Sequence, residues 1–138
     1  MDNQQLIKLA LAARENAYAP YSHFAVGAAV LTKDGQAYTG CNIENASYGT
    51  TNCAERTAIF KAVSEGHKEF IKIAIVGGKC GEEITEYAYP CGVCRQVIAE
   101  FSDTREMKVI IAKSTSDYIE KTLDELLPLS FGGNIWNI

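Results

Sequence analysis

Ile71-Lys72-Ile73-Ala74-Ile75-Val76 is a short, nearly all-apolar run. A strand with one wet face alternates polar and apolar residues. This run does not, so it predicts a strand covered on both faces. Toward the C-terminus, residues 90–101 read as a helix with Val93, Val97, Ile98 and Phe101 turned inward, and residues 107–112 as the next strand. Toward the N-terminus, residues 50–66 read as a helix, because Ala54, Ala58, Ile59, Ala62 and Val63 form an apolar stripe and Gly66 is a natural C-cap. Ahead of it, residues 24–32 and 37–43 are extended segments joined by a turn at Asp34-Gly35, the pattern of a β-hairpin. Residues 2–18 carry helical spacing with Asp2 as N-cap, and Pro20 stops the run. Residues 77–89 read as a polar loop, 118–123 as a fifth strand, and 123–127 as a short helical turn ended by Pro128. The order α-β-β-α-β-α-β-β predicts an α/β fold: one mixed sheet of about five strands with helices packed on both faces. No repeat or linker interrupts the 138 residues, so a single domain over 1–138 is expected.

Composition narrows the functional classes. Lys and Arg number 13 against 17 Asp and Glu, a formal net charge of −4. A polynucleotide partner calls for a basic surface, so none is expected. No apolar run reaches the ~20 residues of a membrane span, and the charged start at Asp2, Lys8, Arg14 and Glu15 lacks a signal-peptide core. A cytoplasmic protein with no membrane partner is the expectation. Thiols stay reduced there, and the five cysteines (Cys41, Cys53, Cys80, Cys91 and Cys94) are odd in number. Metal binding or catalysis explains some of them better than disulfides do.

Pro90-Cys91-Gly92-Val93-Cys94 places two cysteines on the first turn of a helix, where both sulfurs can reach one ion. A lone Cys-x-x-Cys is also compatible with a redox pair. A third cysteine opens another helix in Thr51-Asn52-Cys53-Ala54-Glu55-Arg56. Three ligands, Cys53, Cys91 and Cys94, leave one position open, as a catalytic zinc requires. A structural zinc would need a fourth ligand. Cys41, Cys80, His23 and His67 are the available types, though none sits in a ligand-like pair. Glu55, two residues after Cys53, supplies a carboxylate able to carry protons beside such a metal. Three thiolates exceed the charge of Zn²⁺, so something positive must offset them. The two helix N-termini and Arg56, three residues after Cys53, are the candidates.

Cys-Ala-Glu followed by Pro-Cys-x-x-Cys is the recognised signature of zinc-dependent deaminases. Together with Tyr18-Ala19-Pro20-Tyr21-Ser22, Phe24-Ala25-Val26-Gly27-Ala28-Ala29, Gly40-Cys41-Asn42-Ile43-Glu44-Asn45, Cys53-Ala54-Glu55-Arg56-Thr57-Ala58 and Pro90-Cys91-Gly92-Val93-Cys94-Arg95-Gln96, it makes nearly the whole chain resemble the cytidine deaminase family, in its small, homotetrameric, three-cysteine form. The resemblance implies hydrolysis of cytidine and 2′-deoxycytidine to uridine and 2′-deoxyuridine with release of ammonia, on one zinc per chain, as in pyrimidine salvage. It implies that Glu55 takes a proton from water and passes it to ring N3, and that the same carboxyl then helps protonate the departing amine. It also implies that Asn42 and Glu44 bind the ribose 3′-hydroxyl, that Phe24 stacks near the base and that the Ala54 backbone reads the base amide edge. Tyr48 and Phe131 match residues that reach a neighbouring subunit's site, which implies a homotetramer with shared active sites.

The tail Ser130-Phe131-Gly132-Gly133 departs from the Phe-Gly-Pro of many relatives, and the 77–89 loop is longer than in compact ones. Cys41 is expected on a buried strand, Cys80 as a surface thiol, and Arg95 and Gln96 as structural residues. A deaminase of a related nucleoside such as blasticidin S is the alternative. A zinc-stabilised binding module is disfavoured by Glu55 and by the missing fourth ligand.

Overall fold

The computed structural model describes residues 1–132. The apolar run lies inside strand β3 (Phe70–Lys79), with β1 (Phe24–Thr32) on one side and β4 (Lys108–Ser114) on the other. The hairpin partner of β1 is β2 (Ala37–Cys41), and β5 (Asp117–Thr122) closes the far edge, giving the order β2-β1-β3-β4-β5. All neighbours are antiparallel except β3 and β4, which are parallel. Parallel neighbours need a crossover, and α3 (Gly92–Glu100) provides it. The sheet is therefore mixed and five-stranded, as the element order predicts.

Successive strand residues point to opposite faces, which sorts the core into two layers. Ile73 and Ile75 of β3 join Ala28, Val30, Val109 and Ile111 under α2 (Ala54–Ser64), α3 and the short α4 (Leu123–Leu126). Ala74 and Val76 join Ala29, Leu31, Ile110 and Ala112 under α1 (Asn3–Arg14). Each large aliphatic side chain buried in this way contributes about 1.5–3 kcal/mol. Gly40 lets α2 sit close on β2, because a Cβ there would meet the Ala58 nitrogen at 2.5 Å and the Ala54 oxygen at 2.7 Å.

Several boundaries differ from the sequence expectation, each for a tertiary reason. β3 runs on through Gly77 and Gly78, read from sequence as loop, because they pair with Val26 and Ala25. At Gly77 a side chain would meet Ala88 Cβ at 2.8 Å, so the residue that looks like a loop marker is a packing requirement. α1 ends at Arg14, short of Tyr18, because Tyr18 pairs with the chain after β2: its N–H donates to the Asn42 carbonyl and its carbonyl accepts from Glu44. β2 stops at Cys41, and Ile43 makes only isolated bridges to Tyr18 and Asn52. α2 begins at Ala54 after a 3₁₀ turn at Tyr48–Thr50, so Cys53 is its N-cap rather than an interior residue. Likewise α3 begins at Gly92 with Cys91 as N-cap. Gly66 follows the α2 cap with φ +99, the left-handed position that ends helices. Gly133 of the tail motif lies outside the described residues.

Candidate metal centre and active site

Both cysteine-bearing helix starts sit on the three-helix face of the sheet. The Ile43–Asn52 exchange of backbone hydrogen bonds, 2.9 Å each way, ties the approach to α2 to the end of β2. The Sγ atoms of Cys53, Cys91 and Cys94 all lie within 4.8 Å of one another, with Cys53 and Cys91 3.9 Å apart. Zn–S bonds of about 2.3 Å in tetrahedral geometry put sulfurs roughly 3.8 Å apart, so the set fits zinc. Among the described residues this ligand group holds the three cysteines alone, and Cys41, Cys80, His23 and His67 lie outside it. Cys80 is exposed, Cys41 is half-buried at the end of β2, and His67 packs against Tyr38 and faces Asp34 at 3.5 Å.

The electrostatics point the same way. The Cys53 thiol is pulled down to about 5, first by a hydrogen bond from Cys94 and then by Arg56, against the opposing effect of burial. Cys94, fully buried, is pushed up because it shares its proton with Cys53 and because burial disfavours a second thiolate. Crowded sulfurs that cannot all ionise are the arrangement a divalent cation relieves. The Arg56 Nη2 donates to Cys53 Sγ at 3.1 Å, and its guanidinium is held firmly charged by that contact. The Arg56 Nε is buried with no hydrogen-bond partner among the described residues. On α3, the Cys94 N–H donates to Cys91 Sγ at 3.4 Å, the side-chain cap of that helix.

Glu55, in the first turn of α2, is 4% exposed. Burial lifts its carboxyl to about 7, and the negative charge on Cys53 adds to the rise. Ala54 beside it is fully buried. Cys53, Glu55, Arg56, Cys91 and Cys94 thus form one cluster.

The remaining expected site residues occupy neighbouring features. Glu44 lines a cavity of about 340 Å³ with Tyr21, Ser22, Tyr48 and Thr51. Its Oε1 accepts from the Tyr21 and Ser22 amides at 3.0 and 3.1 Å, and its Oε2 accepts from the Ser22 hydroxyl. That hydroxyl, first among the causes, holds the Glu44 carboxyl below the usual carboxylate range. Asn42 is almost fully buried: its Oδ1 accepts from the Val26 amide at 2.9 Å and its Nδ2 donates to the Phe24 carbonyl at 2.8 Å. Its amide therefore does the work of strand pairing beside Phe24. Phe24 itself is 41% exposed and lines a cavity with Gly77, Gly78 and the acidic loop residues Glu82, Glu83 and Glu86. Tyr48 and Phe131 stand out from the protomer at 75% and 76% exposure. Ser22 has no assigned role in the sequence reading; its place in the Tyr18-Ala19-Pro20-Tyr21-Ser22 motif is the signal that points to it.

A family model described as the cytidine and deoxycytidylate deaminase zinc-binding region matches residues 1–112. The chain is 53% identical over 131 residues to a cytidine deaminase of Halalkalibacterium halodurans, covering 95% of each chain. To a cytidine deaminase of Sporosarcina psychrophila it is 50% identical, covering 95% of this chain and 92% of that one. The crystal structure of a cytidine deaminase from Burkholderia pseudomallei superposes with a TM-score of 0.85 at 46% identity, over 95% of this chain and 100% of that one.

Proposed function

The chain belongs to the family of cytidine and deoxycytidylate deaminases, and from that premise we propose that it hydrolyses cytidine and 2′-deoxycytidine to uridine and 2′-deoxyuridine with release of ammonia, as a single-domain enzyme of pyrimidine salvage. The observation that carries the reading is one buried carboxyl, Glu55, set against three converging thiols. Cys53, Cys91 and Cys94 hold one zinc per chain. When bound, zinc supplies a Lewis acid that lowers the pKa of a coordinated water.

Glu55 carries the protons. Its carboxylate takes one from the attacking water as the new C–O bond forms at C4, and passes it to ring N3. As the C4–N bond breaks, the same carboxyl takes the proton of the new C4 hydroxyl and gives it to the leaving amine, leaving the C4 carbonyl, so that water and cytidine become uridine and ammonia. Burial of Glu55 excludes the bulk water that would compete for these protons. Arg56 and the positive ends of α2 and α3 offset the excess charge of three thiolates.

Phe24 stacks on the base, and the Ala54 backbone reads the base amide edge. The second Nδ2 hydrogen of Asn42 and the remaining lone pair on Glu44 Oε2 face the ribose 3′-hydroxyl. Glu44 is pre-set for this by its three bonds to Tyr21 and Ser22. A substrate that is a free nucleoside suits a chain of net charge −4.

Tyr48 and Phe131 complete the site of a neighbouring subunit in a homotetramer. Support comes from the many exposed large apolar side chains, among them Tyr18, Tyr21, Ile43, Tyr89 and Val93. Five free cysteines suit a reducing, cytoplasmic setting, and no helix among the described residues is long and apolar enough to cross a membrane.

An ultraviolet assay on cytidine, 2′-deoxycytidine and blasticidin S tests the reading. Turnover of the first two is expected. Turnover of blasticidin S alone would replace this reading with the alternative one. Light scattering under assay conditions tests assembly, and a fully active monomer would remove the neighbour roles of Tyr48 and Phe131.

A further inference from the structure

Arg95 follows Cys94 directly but turns away from the sulfurs. Its Nε donates to the Pro90 carbonyl at 2.8 Å, and its Nη1 donates to the Leu126 carbonyl at 2.7 Å. Pro90 immediately precedes Cys91. With no N–H of its own, it can be held by hydrogen bonding only through its carbonyl. Leu126 ends α4, where a last-turn carbonyl has no intrahelical donor. The next residue, Gln96, donates from Nε2 to the Phe131 carbonyl at 2.9 Å. Two consecutive residues of α3 therefore fasten the C-terminal segment to the turn that carries Cys91 and Cys94.

We infer that Arg95 is a positioning residue for the metal ligands: by clamping the Pro90–Cys91 peptide to α4, it fixes where the Cys91 sulfur stands, so zinc retention depends on a residue that touches neither zinc nor sulfur. The inference rests on the three-thiol zinc reading above. A planar guanidinium bridges two separated carbonyls from different nitrogens in a fixed fork, whereas the three N–H donors of Lys radiate from one nitrogen on a flexible stem and hold such a pair less well. Arg95→Lys is therefore intermediate, and Arg95→Gln, which loses both charge and fork, is the full lesion.

The test is release of zinc from the purified holoenzyme to an excess of a chromophoric chelator, well below the unfolding temperature. Arg95→Gln should release zinc roughly tenfold faster than the unaltered enzyme, the scale on which outer partners of metal ligands act. Arg95→Lys should fall between the two, and it serves as the reading if Arg95→Gln does not fold. Ile110→Val and Ile110→Ala, on the α1 face of the sheet, provide a variant matched in melting temperature. It should release zinc at the unaltered rate. Release from Arg95→Gln or Arg95→Lys at the unaltered rate, or equally fast release from the matched Ile110 variant, would overturn the inference and leave the zinc site standing. An unaltered chain that binds no zinc would overturn the zinc reading and this inference with it.

Discussion

α2 and α3 each begin on a cysteine in extended backbone, Cys53 at φ −77, ψ 156 and Cys91 at φ −69, ψ 167. Each has an arginine one turn later, Arg56 and Arg95. From this shared start the two ends diverge. Arg56 reaches back to the Cys53 sulfur, while Arg95 reaches out to two backbone carbonyls. Cys91 receives the Cys94 amide as a cap, whereas Cys53 makes no side-chain cap bond and its sulfur is met by side chains instead, the Cys94 thiol and the Arg56 guanidinium. The α2 start also brings the buried Glu55, while Val93, at the matching position of α3, is exposed. On the proposed reading, one end handles charge and protons and the other serves as an anchor. A cysteine at a helix start does not by itself determine which; the surrounding acceptors do.

The two ends should be equal at the ligands, and the largest effects are expected there. Cys53→Ala and Cys91→Ala should each abolish both zinc content, read by atomic absorption, and deamination. Loss of zinc from only one of them would mean that the metal is not shared. Next, Glu55→Gln should keep its zinc and lose about 10²–10⁴-fold in turnover, the usual worth of a positioned general acid–base. A near-normal rate would remove the proton role from the α2 end.

A smaller effect sharpens the arginine contrast. Arg56→Gln should cost about tenfold in turnover with zinc mostly bound, and less in a Cys53→His background, where one negative charge is gone. A double-mutant cycle measures the coupling, and additive losses would leave the helix ends as the only offset.

The smallest prediction lies outside both helix ends, at Glu44. Its carboxyl titrates below its ordinary value in the folded state, mainly through the Ser22 hydroxyl. The associated stability is present above the ordinary glutamate pKa and is lost as pH falls through the lowered value. Thermal melts should therefore show Ser22→Ala less stable than the unaltered chain at neutral pH, with the gap closing in acid. A gap that widened in acid would contradict the assignment.

What the sequence made legible was local. The β3 run announces a doubly covered strand through its lack of alternation. The ligand set is readable because Cys-x-x-Cys places two sulfurs on one helical turn whatever surrounds it. The directions of the two arginines were less readable. Arg56 follows from charge counting, but Arg95 depends on Leu126, which lies 31 residues away and is brought near only by the fold. Asn42 is a similar case: it looks like a polar strand exit, yet its amide stands in for the strand pairing that β2 gives up after Cys41. Gly77 shows the reverse error, since propensity reads a loop where packing against Ala88 demands a glycine within a strand.

On the proposed reading, cytidine deamination depends on one zinc held by the three thiols. The most direct measurement strips the purified enzyme with a chelator and restores it with measured zinc, following cytidine absorbance throughout. Activity should vanish in the stripped protein and return in proportion to zinc, saturating at about one ion per chain. Undiminished deamination by the metal-free protein would contradict the account.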